Sequence, residues 1–170
     1  MESELKKFKI EYPYLPEGKR ILYVFEDNKY MVLAKEYAEK YRSNLEQSGA
    51  AVIVKNKKVI GIGALGNNPT HIEGCERIKH NMPTGEGYDL CQGCNPKFHS
   101  EASAIRDAEE KGENILDADL YLWGHWWCCK DCWEIMIKTG IKNVYLLQNS
   151  EILFNKKASN NIIGRQFDKI

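Results

Sequence analysis

The sequence contains no apolar run approaching the ~18 residues that a membrane-spanning helix needs. Its opening, MESELKKFKIEYPYLPEG, is too charged and proline-broken to be a secretory leader. Net charge is also missing: 24 Lys and Arg balance 24 Asp and Glu, so no global field draws the chain to nucleic acid or to a membrane. There is no internal repeat and no low-complexity tract. These absences lead us to expect a cytoplasmic globular protein. Cysteine is lacking everywhere except one part of the chain, which holds Cys75, Cys91, Cys94, Cys128, Cys129 and Cys132. In a reducing compartment such a cluster reads as metal-binding or catalytic rather than as a disulfide framework. What is present is 170 residues with 43% hydrophobic content, enough for one domain with a substantial core.

Along the chain, Pro13, Pro16 and Gly18 mark residues 1–28 as an N-terminal extension, in which ILYVFEDN is either a short strand or a docking segment. The remaining 29–170 form the expected domain. After Asp27 or Asn28 as N-cap, Tyr30, Leu33, Tyr37, Tyr41 and Leu45 recur at helical spacing. GAAVIVKNKKVIGIGALG predicts a β-hairpin turning at Asn56 and Lys57. Residues 66–98 lack periodicity and carry three prolines, so a loop of that length is functional or pinned. HSEASAIRDAEEKG then predicts a helix with Ala102, Ile105 and Ala108 on one side. ADLYLWG predicts a strand, CKDCWEIMIKTG a helix ending at Gly140, and IKNVYLLQ a strand. The alternation argues an α/β domain whose later strands are parallel.

Two segments fit one site. His99 and Glu101 stand at the start of one helix, and Cys129-Lys130-Asp131-Cys132 at the start of the next. Open α/β folds place ligands at such positions, beyond the carboxyl ends of strands. One imidazole and two thiolates are three zinc ligands, with the fourth tetrahedral position left for water. Helix N-termini favour thiolates. Glu101, two residues from the imidazole, is placed to handle protons without binding metal. Taken alone, His-x-Glu also describes a solvated pair, and Cys-x-x-Cys a redox or structural zinc motif. Their order on a strand–helix scaffold is the signature of zinc nucleobase deaminases.

From Gly49 to about Leu147 the sequence resembles the cytidine and deoxycytidylate deaminase superfamily, most closely its dCMP deaminase branch. The resemblance is carried by GAAVIVKNKKVIGIG, CERIKHNMPTGEGYDLC, HSEASAI, LYLWGHWWCCKDC and GIKNVYLL. It implies a three-layer α/β/α sandwich around a mixed sheet of about five strands, with a core at 49–147. It also implies catalytic zinc on His99, Cys129 and Cys132, Glu101 as proton shuttle, a small nucleotide as substrate, and a homo-oligomer. Cys75, Cys91 and Cys94, with His71 or His80, suit a second, structural zinc. Asn67 or Asn68, Glu86 and Tyr88 correspond to substrate-side positions of the family.

The sequence departs from the family at Cys128, where proline is usual, at Ser100 for alanine, and at Trp133 for a small residue. Trp126 and Trp127 replace polar residues; base stacking and core packing are both open to them. His125 reads as a structural histidine or as a phosphate or base contact. Cys128 with Cys132 is a further possible ligand pair. Two other functions remain open: deamination of another cytosine compound, and a non-catalytic zinc-binding module.

Overall fold

The computed structural model describes residues 13–41, 48–64, 79–80 and 99–168. Five strands form one mixed sheet: β1 (Ile21–Val24), β2 (Ala50–Lys55), β3 (Lys58–Ala64), β4 (Asp119–Trp123) and β5 (Asn143–Leu147). Their spatial order is β1-β5-β4-β2-β3. β4 pairs in parallel with β5, and β5 with β1, whereas β2 is antiparallel to both β3 and β4. The β2–β3 hairpin closes through Asn56 and Lys57, both at positive φ (51° and 62°), the two-residue turn whose twist matches the flanking strands. ILYV is therefore a strand. It joins the sheet edge, so this part of the segment before residue 28 belongs to the fold and does not stand apart from it.

Among the described residues there are four helices: α1 (Lys29–Lys40), α2 (Ser100–Glu110), α3 (Lys130–Thr139) and the single turn α4 (Ser150–Leu153). The central strands are apolar on both faces, as a sheet covered on both sides requires. Ala51, Ile53, Leu120, Leu122, Val144 and Leu146 meet α2 and α3 on one face. Ala50, Val52, Val54, Tyr121 and Trp123 meet α1 and the C-terminal segment on the other. This is the α/β/α sandwich expected.

α1 begins as expected at Asn28, whose Oδ1 accepts the N–H groups of Tyr30 and Met31 at 3.0 and 3.2 Å. The expected contact stripe is displaced by one position. Met31, Ala34 and Ala38 are the buried line, and Tyr30, Leu33, Tyr37 and Tyr41 flank it half-buried. Alanine lets the helix approach the sheet, while tyrosines are better placed where the hydroxyl finds a partner; that of Tyr30 reaches the Lys57 carbonyl at 3.2 Å. Leu45 lies outside the described residues.

α2 lies against β3 at very short range. A Cβ on Gly63 would meet Ala104 N and, at 2.6 Å, Ser103 Cβ; one on Gly61 would meet Ala108 Cβ at 2.8 Å. Asp107 fastens the contact, its Oδ2 accepting the Ile62 N–H at 2.9 Å. Gly63→Ala should therefore push the first turns of α2 outward, at a cost of about 1–3 kcal/mol by denaturant unfolding. It should weaken zinc retention as well, because that turn follows His99. A variant with unchanged stability and zinc content would show that the contact has slack.

Candidate metal centre and active site

β3 and β4 point the same way, and their carboxyl ends, Ala64 and Trp123, both pair with Ala50 of β2. α2 and α3 start near this rim, and each begins on a sequence-predicted metal ligand. His99 is the N-cap of α2 and Cys129 the N-cap of α3, both with extended backbone (ψ 158° and 162°). The Cys129 Sγ accepts the Cys132 N–H at 3.4 Å, satisfying one of the amides that a helix start leaves open. The i, i+3 spacing of the two cysteines then carries Cys132 round to the same side.

The three side chains converge. His99 Nδ1 stands 3.5 Å from Cys129 Sγ and 3.5 Å from Cys132 Sγ. All three ligand atoms lie within 4.8 Å of one another. Zinc bonds of about 2.3 Å to sulfur and 2.0–2.1 Å to nitrogen, held at tetrahedral angles, separate N from S by about 3.6 Å. The arrangement thus has the dimensions of three corners of a zinc tetrahedron, and its donors are those zinc prefers. The residues fit zinc.

The electrostatics agree with that donor set. The hydrogen bond with Cys132, followed by the His99 imidazole, outweighs burial and brings the Cys129 thiol down to about 6. The same pair interaction, together with burial, pushes the Cys132 thiol up. Two thiols competing for one charge is the state a divalent cation resolves by displacing the second proton.

Cys128 is different. It is fully buried within the apolar cluster below α3, and burial, reinforced by Glu101 and Cys129, pushes its thiol well up. Among the described residues the metal-ligating group is His99, Cys129 and Cys132, without Cys128.

Glu101 is in the first turn of α2 and is only 4% exposed. Its carboxyl is close enough to act electrostatically on all three thiols, with burial or hydrogen bonding the larger influence on each. Trp127 and Trp133 are buried in the cluster that holds the three cysteines. Trp126 stays half-buried and meets Trp127 edge-on, with ring centroids 6.2 Å apart. His125 is hemmed in by protein; burial, then the fields of His99 and Lys156, lower its pKa to about 4. Ser100 Oγ and Trp133 Nε1, each one residue past a ligand, are buried without a hydrogen-bond partner, a placement that costs about 1–3 kcal/mol each. Asn67, Asn68, Cys75, Glu86, Tyr88, Cys91, Cys94 and His71 lie outside the described residues, and His80 is exposed. Two buried polar residues escaped the sequence reading: Ser48 and Gln166, joined across 118 positions. Their partnership leaves no local pattern to read.

No helix among the described residues is long and apolar enough to cross a membrane. No curated protein matches the chain. Similar solved structures include dCMP deaminase from the cyanophage S-TIM5 in complex with dCMP and dUMP. It is 21% identical, with 72% of this chain and 82% of that one covered, at a TM-score of 0.44. Another is the diaminohydroxyphosphoribosylaminopyrimidine deaminase/5-amino-6-(5-phosphoribosylamino)uracil reductase of Thermotoga maritima. That likeness has 26% identity and a TM-score of 0.41; it covers 69% of this chain but 28% of that longer protein. Guanine deaminase from Bacillus subtilis is 22% identical over 60% of this chain and 52% of its own, with a TM-score of 0.35. Residues 25–148, which contain the whole His99, Cys129 and Cys132 constellation, match the family model for the cytidine and deoxycytidylate deaminase zinc-binding region, and the chain belongs to that family.

Proposed function

We propose that this protein hydrolytically deaminates a cytosine nucleotide, converting dCMP to dUMP with release of ammonia. The observation that carries the chemistry is the equidistant placement of His99 Nδ1 from two thiols beside a buried Glu101. The choice of dCMP is supported by CERIKHNMPTGEGYDLC, which resembles that branch of the family.

His99, Cys129 and Cys132 would hold zinc, which when bound supplies Lewis-acid activation of water near neutral pH. Glu101 does the proton work. It takes a proton from the attacking water and returns it to the ring nitrogen beside the amine-bearing carbon. It then carries the second water proton to the departing amine, so that ammonia leaves and a carbonyl remains. Burial of Glu101 keeps bulk water from competing for these protons. Trp126, partly open, is the indole available for stacking on the base. Asn67 or Asn68 is assigned to the sugar, and Glu86 and Tyr88 to positions near the substrate, on the resemblance alone. We assign the protein to the cytoplasm, with no nucleic-acid partner, and as a homo-oligomer.

Incubation of the zinc-loaded protein with a panel of cytosine nucleosides and nucleotides, following ammonia, tests the assignment. Release from dCMP in preference to the others is expected. Release only from another cytosine compound would move the substrate, and none at all from zinc-loaded protein would end the enzymatic reading. Cys75, Cys91 and Cys94 are further proposed to hold a structural zinc. Two zinc ions per chain by elemental analysis are expected, and one would remove that site.

A further inference from the structure

The family match ends at residue 148, yet the chain continues into a segment that packs on Trp123, at the carboxyl end of β4. After α4, Phe154 is buried edge-on against Trp123, with centroids 5.1 Å apart, and Phe167 stacks on the same indole at 5.2 Å. Between these contacts the segment is held by the Ile162 N–H donating to the Leu153 carbonyl at 2.9 Å. Gln166, 6% exposed, then spends its whole amide on one residue. Its Oε1 accepts the Ser48 N–H at 2.8 Å, and its Nε2 donates to the Ser48 carbonyl at 3.1 Å. Both backbone polar groups of a buried residue are thereby satisfied, as a neighbouring strand would satisfy them.

The clamped residue in turn abuts the stretch that leads to Cys129. Gly124, at φ +99°, lies so close that a Cβ there would strike the Ser48 carbonyl oxygen and approach Gly49 Cα to 2.8 Å. The His125 ring lies close over Gly49, where a Cβ would sit 3.1 Å from His125 Cδ2. From Gly124 the chain runs through His125, Trp126, Trp127 and Cys128 to the ligand Cys129. No proline stiffens that connection.

We propose that Gln166 is a positioning residue: through Ser48 it fixes Gly124 and so sets where His125 and Trp126 stand beside the metal centre. The C-terminal segment then shapes the substrate pocket from outside it. Its kinetic consequence rests on the function proposed above, whereas its structural consequence does not.

Gln166→Met, in the full-length zinc-loaded protein, keeps the side chain's length and removes both hydrogen bonds. Gln166→Glu keeps an acceptor for the Ser48 N–H and serves as a partial rescue. In nitrogen-15 spectra of the four indoles, the Met variant should shift or broaden Trp126 and Trp127 together with Trp123, and leave Trp133 in place. The Glu variant should lie between it and the native protein. Movement of Trp123 alone, the indole that touches the segment, overturns the proposal. With dCMP, KM should rise on the order of tenfold at similar kcat and unchanged zinc content, because a displaced Trp126 stacks less well on the base. A fall in kcat at unchanged KM, or loss of zinc, would make Gln166 a residue of general stability. If the native protein does not act on dCMP, the substrate assignment fails, and the indole spectra still decide the role of Gln166. If neither variant folds, Gln166 supports the whole fold and the positioning role is rejected.

Discussion

Glu101→Gln should retain zinc and the native fold while turnover drops by roughly 10²–10⁴-fold, the usual share of a positioned general base. The substitution keeps the size of a side chain that is 4% exposed, so packing in the first turn of α2 is preserved. It removes the ability to take up and release a proton, together with the carboxylate's field on the neighbouring thiols. The ligand set is unaffected, because Glu101 is not among the atoms that converge on the metal position. The measurement pairs zinc content with kcat on the best substrate of the panel. Normal zinc with turnover within a few-fold of native would sink the assignment of Glu101. Loss of zinc along with activity would place it among the ligands instead.

Cys132→Ser and Cys128→Ser should behave in opposite ways. Cys132 provides one of two sulfurs at 3.5 Å from His99 Nδ1, so its replacement leaves two good donors where zinc needs three. Catalytic zinc should be lost, and with it any thermal stabilisation that added zinc confers. That stabilisation is about 2.7 kcal/mol for a ligand at a hundred times its Kd. Cys128 sits one residue before Cys129 but is fully buried among apolar side chains, with its thiol pushed up by burial. Serine there should cost about 1–3 kcal/mol, as a hydroxyl buried in apolar surroundings does, and leave zinc stoichiometry unchanged. The reverse outcome, with zinc lost in Cys128→Ser and kept in Cys132→Ser, would show that the adjacent cysteines exchange roles.

The contrast between these neighbours shows what local sequence can and cannot distinguish. Spacing favoured Cys129 with Cys132, because three residues from a helix start return to the same side, but it left the pair Cys128 and Cys132 open. The helix start at Lys130 separates the two: Cys129 is the N-cap with its sulfur accepting the Cys132 amide, and Cys128 lies in the buried core cluster. The tryptophans divide in the same manner. Nothing in WGHWW tells which indole the fold encloses, whereas the structure buries Trp127 and leaves Trp126 half-buried.

Periodicity, turn chemistry and ligand spacing act over a few residues, and what depends on them could be read directly from the chain. They account for the hairpin at Asn56 and Lys57, the cap at Asn28, the end of α3 at Gly140, and the donors His99, Cys129 and Cys132. The order of strands, the close approach of Gly63 to α2, the insertion of ILYV at the sheet edge and the clamp of Gln166 on Ser48 were decided only in three dimensions. Each of these joins groups far apart in sequence, whose pairing follows from which surfaces remain to be covered once the local elements exist. Buried polar atoms must then find partners wherever the fold brings them, and neighbouring residues carry no record of that choice.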